Sequence, residues 1–193
     1  MFDTIKELQN YRNSTIETIR NIDDHSIAKV VQILLHARNN GTMIFVFGNG
    51  GSGATASHFV GDLLKSLSYG FEKRFRAMCL NDNIPTLSAY SNDVSYDDVF
   101  LEQLKNFAQE KDVVLGLSGS GNSQNVVKAL EYANRIGAVT VAMSGFDGGK
   151  IKQLAQINLH AKINDMDIVE NVHLFVLHYI KRILTLEIQG EKG

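Results

Sequence analysis

The stretch Met43-Ile44-Phe45-Val46-Phe47-Gly48-Asn49-Gly50-Gly51-Ser52-Gly53 runs from five consecutive apolar residues straight into a glycine-rich turn. Such a run has no polar face. It therefore reads as a short strand covered on both sides, the condition of an inner strand in a parallel sheet. Outward from it the pattern repeats. Apolar runs stand at 77–80, 113–117 (VVLGL), 139–143 (VTVAM) and, more weakly, 157–161, each preceded by a segment of helical spacing, at 54–66, 97–108, 123–136 and 151–155. Strands alternating with amphipathic helices predict an α/β fold, a three-layer α/β/α sandwich built on a five-stranded parallel sheet.

Two helices precede this core. One covers 2–21, with Phe2, Ile5, Leu8, Ile16 and Ile19 near one face. The other runs from Ser26, with Ile27, Val30, Val31, Leu34 and Leu35 as its apolar stripe, and ends at Asn39-Asn40-Gly41, residues suited to a left-handed helix cap. The expected organisation is one domain over 1–193, with leading helices at 1–40, the α/β core at 42–161 and a long closing helix at 165–189. The closing helix is apolar around most of its circumference, as Val172, Leu174, Phe175, Val176 and Leu177 show, so it requires burial on all sides. A small domain has little to cover it with. The expectation is a homo-oligomer joined through helices, the alternative being a central core helix.

Composition excludes several classes. With 16 glycines but one proline, Pro85, the chain is neither collagen-like nor a Pro-rich or low-complexity segment. The 19 basic and 21 acidic residues leave a net charge of −2 with no block of one sign, which argues against nucleic-acid or membrane-surface binding. A single cysteine, Cys79, cannot form an internal disulfide and suits a reducing compartment. The first residues lack the apolar core of a signal peptide, and the apolar segment 172–188 is broken by His173, His178, Lys181, Arg182 and Glu187, unlike a membrane span. A cytoplasmic protein is expected.

Two glycine-rich turns carry the chemistry. Gly48-Asn49-Gly50-Gly51-Ser52-Gly53 formally matches the dinucleotide fingerprint, but the next strand ends near Asn81 and Asp82, nearly 30 residues past Gly53, and brings no ribose-binding acid at the expected distance. No Gly-Lys-Ser/Thr ends the turn either, so no nucleotide cofactor is expected. The second turn, Ser118-Gly119-Ser120-Gly121-Asn122-Ser123, again leaves a strand and opens a helix. Backbone amides at a helix N-terminus attract anions, and hydroxyls add donors without charge. Either turn alone could be an ordinary strand-to-helix connection with an Asn or Ser cap. Together, at the carboxyl edge of one parallel sheet, they point to a small phosphorylated ligand. A third cluster, Gly145, Gly148 and Gly149 around Asp147, reads as a turn.

Titratable residues flank these turns. His58 and Asp62 lie four apart on the helix after the first turn, hence on one face. Glu170 and His178 lie eight apart on the closing helix, about 80° around its axis, so both can border one site. Imidazoles and carboxylates so placed could bind Zn²⁺ or another divalent metal, perform acid–base chemistry, or be structural. His25, His36 and His160 have no such context.

In order and spacing, Gly48 to Ser52, His58, Asn92-Asp93, the serine-rich turn 118–123 and His178 resemble the sugar isomerase (SIS) domain family, and within it the phosphoheptose isomerases. The resemblance extends over nearly the whole chain, including the GFDGGK segment at 145–150. It implies a five-stranded, flavodoxin-like SIS fold, a homotetramer with sites between subunits, and conversion of sedoheptulose 7-phosphate to glycero-manno-heptose 7-phosphate, on the way to heptose nucleotides for surface polysaccharides. It also implies that Ser52, Ser118, Ser120 and Ser123 hold the phosphate, with Gly50, Gly51 and Gly119 in the same turns, and that Asn49 and Asp93 hold the sugar. By the same resemblance His178 is a general acid/base and, with His58, a zinc ligand. Asp62 stands where the family has a catalytic, metal-binding Glu, and Glu170 where it has a metal-binding Gln, so these two complete the expected metal and catalytic sets. Moving a proton between adjacent carbons through an enediol(ate) needs a base and an acid. Asp62 or Glu170 is the candidate base and His178 the candidate acid. The rival class is a non-catalytic SIS module that binds a phosphosugar or a protein partner, such as the relatives that associate with the bacterial replication initiator.

Overall fold

A computed structural model describes residues 3–190. Five strands, β1 (Met43–Gly48), β2 (Arg76–Cys79), β3 (Val113–Ser118), β4 (Val139–Ser144) and β5 (Ile157–His160), form one parallel sheet in the order β2-β1-β3-β4-β5. The helices are α1 (Thr4–Arg20), α2 (Asp24–Asn40), α3 (Gly50–Gly61), α4 (Ile84–Asp93), α5 (Val99–Phe107), α6 (Gln124–Arg135), α7 (Gly149–Leu154) and α8 (Met166–Gly190).

The continuous apolar runs divide between two faces because successive strand side chains alternate. Ile44 and Val46 of β1 pack with α2, α3 and α8 on one face, while Phe45 and Phe47 pack with α5 and α6 on the other. Phe47 and Phe100 meet with ring centroids 4.8 Å apart. The predicted three-layer α/β architecture is therefore present, with helices on both faces of the sheet.

The order also locates the crevice. Chain direction across the sheet reverses between β1 and β3, and in open α/β sheets ligands bind beyond the strand ends at such a switch point. Gly48 and Leu117 are register partners there, so the two glycine-rich turns leave the sheet side by side.

Three local features differ from the sequence reading. Helix α3 begins at Gly50 rather than near 54, so Gly51, Ser52 and Gly53 lie in its first turn. Past Gly61 it widens into a π turn, Asp62–Ser66, closed by a hydrogen bond from Leu67 N to the Asp62 carbonyl, 3.0 Å. Helix α4 was not expected: Asn83 caps it by accepting from Thr86 N, and Pro85 sits in its first turn, where no amide is missed. Finally, the α1 stripe does not face the core. Ile5, Leu8 and Ile16 are exposed and Ile19 alone of the expected set packs inward, Phe2 lying outside the described residues. On α8, Ile168, Val172, Val176, Ile180 and Leu184 are buried while Phe175, Tyr179 and Leu186 are exposed. Among the described residues no helix is long and apolar enough to cross a membrane.

Candidate active site

The first turn is a braced scaffold. The Asn81 side chain donates to the Gly48 carbonyl at 2.7 Å and accepts from the Gly48 amide at 3.2 Å. Asn49 exchanges two amide hydrogen bonds of 2.9 Å with buried Asn125 of α6, and its Oδ1 also accepts from Tyr96 at 2.9 Å. Ser52 is buried in the first turn of α3. Gly50 is left-handed, with φ +53°. At Gly51 the Glu170 carboxylate occupies the space a Cβ would take, so any side chain there would displace it.

The second turn stays a loop until Gln124. Buried Ser118 and partly exposed Ser123 share a hydrogen bond of 3.1 Å between hydroxyls, and Ser118 Oγ also accepts from the Gly121 amide. Ser120 Oγ accepts from Asn122 N at 3.2 Å. The third glycine cluster does more than turn the chain, since it buttresses this loop. Gly145 N donates to Gly119 O, Ile151 N to Gly121 O and Lys150 N to Asn122 Oδ1. Gly121 has φ +67°, and its backbone packs so closely on Gly148 and Gly149 that neither a left-handed non-glycine residue nor a Cβ fits.

Helix α8 links the turns. Met166 and Val169 cover Gly119, Glu170 reaches Gly51, and His178 and Lys181 reach His58 and Asp62. Contacts advancing in step along both chains mean that α8 and α3 lie side by side and parallel. The result is a three-residue group: His58 Nε2 and His178 Nε2 are 2.9 Å apart, and Asp62 Oδ2 lies 3.5 Å from the first and 3.9 Å from the second. The imidazoles meet edge to face, both half-exposed, over a buried carboxylate.

The group fits a divalent cation. One candidate ligand atom from each residue lies within 4.8 Å of the others. Tetrahedral Zn²⁺ with ligands at 2.0–2.1 Å would want them about 3.3 Å apart, and two imidazoles with one carboxylate suit that ion. Asp62 Oδ2 is buried and makes no hydrogen bond, an acceptor awaiting a partner. Glu170, expected as a further ligand, lies outside this group, against Gly51. Asp93 ends α4, exposed, where it accepts from Asn92 Nδ2, three residues before Tyr96 on the segment that reaches Asn49.

Two other groups are placed away from this chemistry. His173, one turn from Glu170, is buried with neither ring nitrogen hydrogen-bonded, and burial pushes its pKa down to about 4. Burial likewise pushes the Cys79 thiol up to about 12, so it remains protonated and inert. The residues that sequence reasoning missed are Asn81, Tyr96, Asn125, Ser66 and Lys181. Each is an ordinary polar residue whose partner lies elsewhere in the fold, apart from Ser66, four residues after Asp62.

The SIS domain family model matches residues 9–145, more than half of the chain and including both turns. The chain belongs to the SIS domain family. Among relatives of this SIS domain, a protein named "Probable phosphoheptose isomerase" from Thermoplasma volcanium is 40% identical, over 91% of this chain and 89% of its own length. The phosphoheptose isomerase of Geotalea daltonii is 33% identical over 100% of both chains. Among solved structures, a phosphoheptose isomerase from Francisella tularensis superposes with a TM-score of 0.86, at 24% identity, over 95% of this chain and 98% of its own, which establishes the shared fold.

Proposed function

We propose that this SIS domain is an aldose–ketose isomerase acting on a phosphosugar, with sedoheptulose 7-phosphate and D-glycero-D-manno-heptose 7-phosphate as its substrate pair. The observation that carries the reading is the convergence of His58, Asp62 and His178 from two helices, one of which also borders the serine-lined turn. Relatives named phosphoheptose isomerase, similar over the whole length, support the same substrate class.

In this reading Ser118, Ser120, Ser123 and the Gly119 amide bind the phosphate. Ser52, Gly50 and Gly51 shape the neighbouring turn, where Glu170 already supplies negative charge. Asn49, oriented by Asn125 and Tyr96, and Asp93 contact sugar hydroxyls. The base removes a proton from C1 of the ketose, the C1–H electrons form the C1–C2 double bond, and the carbonyl oxygen on C2 takes a proton. Returning a proton to C2 while the C1 hydroxyl gives up its own yields the aldose, with no net oxidation. Glu170 is the better placed base, because Asp62 is engaged by Lys181 and Ser66 and faces the imidazoles. His178 serves as the acid at the oxygens. A divalent ion, Zn²⁺ by donor type, would be held by His58, Asp62 and His178 and would polarise a substrate oxygen, leaving His178 to act as an acid only through its other ring nitrogen, Nδ1.

The exposed apolar residues of α1 (Ile5, Leu8, Ile16) and α8 (Phe175, Tyr179, Leu186) support a homo-oligomer, which we take as a tetramer of single-domain chains in the cytoplasm, as does the half-exposure of both site imidazoles. The test is turnover of sedoheptulose 7-phosphate followed by NMR, with and without a chelator. Production of the aldose phosphate is expected. Tight phosphosugar binding without turnover, with or without metal, would instead establish a non-catalytic SIS module.

A further inference from the structure

The two oxygens of Asp62 are in different situations. Oδ1 accepts from the Ser66 hydroxyl at 3.1 Å and pairs with the Lys181 ammonium at 3.0 Å. Oδ2 is buried, makes no hydrogen bond and faces the two imidazoles. Lys181 follows His178 by three residues, so one face of α8 delivers both the imidazole and the ammonium to the same carboxylate. The π turn 62–66 carries both the carboxylate and the serine that holds it. Such turns recur where a helix is adapted to a site.

A carboxylate with both oxygens free can rotate, take a cation with one oxygen or two, or swing towards water. Holding Oδ1 from two sides removes these options. An aspartate also reaches one methylene less than a glutamate, so its single free oxygen has to be aimed.

We infer that Lys181 is a positioning residue: by pairing with Oδ1 of Asp62 it presents Oδ2 alone to His58 and His178, setting the carboxylate as a one-oxygen ligand of a divalent cation. This rests on reading His58, Asp62 and His178 as a metal site. Partners that orient a metal ligand are worth 10- to 100-fold in affinity, and the effect of Lys181 has to act through Asp62.

The experiment is Zn²⁺ binding to the whole protein, read by competition with a chromophoric chelator, for the wild type, Lys181→Met, Lys181→Arg, Asp62→Asn and the Lys181→Met/Asp62→Asn pair. Circular dichroism and thermal midpoints accompany each. Lys181→Met should bind Zn²⁺ about tenfold or more weakly. Lys181→Arg, which keeps the charge and remains testable if the methionine variant misfolds, should stay within about threefold of wild type. The double variant should be no weaker than Asp62→Asn alone.

Equal or tighter Zn²⁺ binding by Lys181→Met would overturn the proposal, the latter by showing that Lys181 competes with the metal for the carboxylate. The same loss in the Asp62→Asn background would also overturn it, as would a wild type that takes up no Zn²⁺. Isomerase turnover is read separately. A wild type that binds Zn²⁺ with this Lys181 dependence yet converts no phosphosugar would support the present inference while sinking the isomerase reading.

Discussion

The turns after β1 and β3 begin alike and end differently. Both leave inner parallel strands at the switch point, both are glycine-rich and both open a helix. After β1 the helix starts at once, Ser52 is buried, Gly48 and Asn49 are held by side-chain amides, and the Glu170 carboxylate rests on Gly51. After β3 the chain stays open as far as Ser123, its hydroxyls pair with one another and with loop amides, and glycines behind it hold its shape. The lesson is a division of labour. A carboxylate and a phosphate a few ångströms apart repel each other, so in the proposed reading the turn that carries the Glu170 carboxylate is kept separate from the turn assigned to the anion.

The largest effect should come from the chemistry beside the first turn. His178→Gln is expected to lower kcat by about 10²–10⁴-fold, the range of general acid–base contributions, with the circular dichroism spectrum unchanged; retained turnover would remove His178 from the mechanism. Next come the hydroxyls of the second turn. Ser120→Ala and Ser123→Ala should each raise KM about 10-fold or more, since a hydrogen bond to a charged group is worth about 1.5–3 kcal/mol, with kcat little changed. An equal KM increase from Ser52→Ala would break the comparison, because the first turn would then hold phosphate too.

Glu170→Gln sharpens the contrast from the other side. As the proposed base it should reduce kcat about 10²–10⁴-fold while leaving KM unchanged or slightly lower, because the charge removed sits on the turn to which the proposal assigns no phosphate. A rise in KM to match the serine variants would place the phosphate on the first turn.

The smallest effect concerns His173, buried on α8 one turn from Glu170. Buried His173 has its pKa pushed down to about 4, whereas the unfolded chain takes up that proton near 6.5. Between these values the unfolded state binds more protons, so stability is full above about pH 6.5 and declines as the pH falls towards about 4. Thermal midpoints should fall over that window by several degrees in the wild type and less in His173→Phe. Equal slopes would transfer the effect to the titratable groups around the two turns.

Much of the fold was legible because it rests on continuous patterns. The apolar runs that became β1, β3 and β4 lie within one residue of their expected limits, since a strand buried on both faces is apolar nearly throughout, buried Thr140 of β4 being satisfied by Asn134. Helix α4 was not legible because it buries no residue and is set by the Asn83 cap and Pro85 rather than by a stripe. The stripe of α1 was read correctly as apolar but not as outward-facing, because periodicity marks a face without saying what covers it.

At the site, residue types and spacing brought forward His58, Asp62, Glu170, His178 and both glycine-rich turns, since a turn is written in consecutive residues and a helix face in residues a few apart, but of the four titratable residues only His58, Asp62 and His178 come together. The sequence by itself determined the layered fold and the two turns at the edge of the sheet. Only the tertiary structure decided that Glu170 rests on Gly51, that Asn125 holds Asn49 from 76 residues away, and that Lys181 ties one oxygen of Asp62. These pairings have no local signature, because they exist only where α8 lies beside α3 and α6 packs on β3 next to the turn that leaves β1, and that packing is fixed by apolar surfaces that do not encode which polar groups will meet.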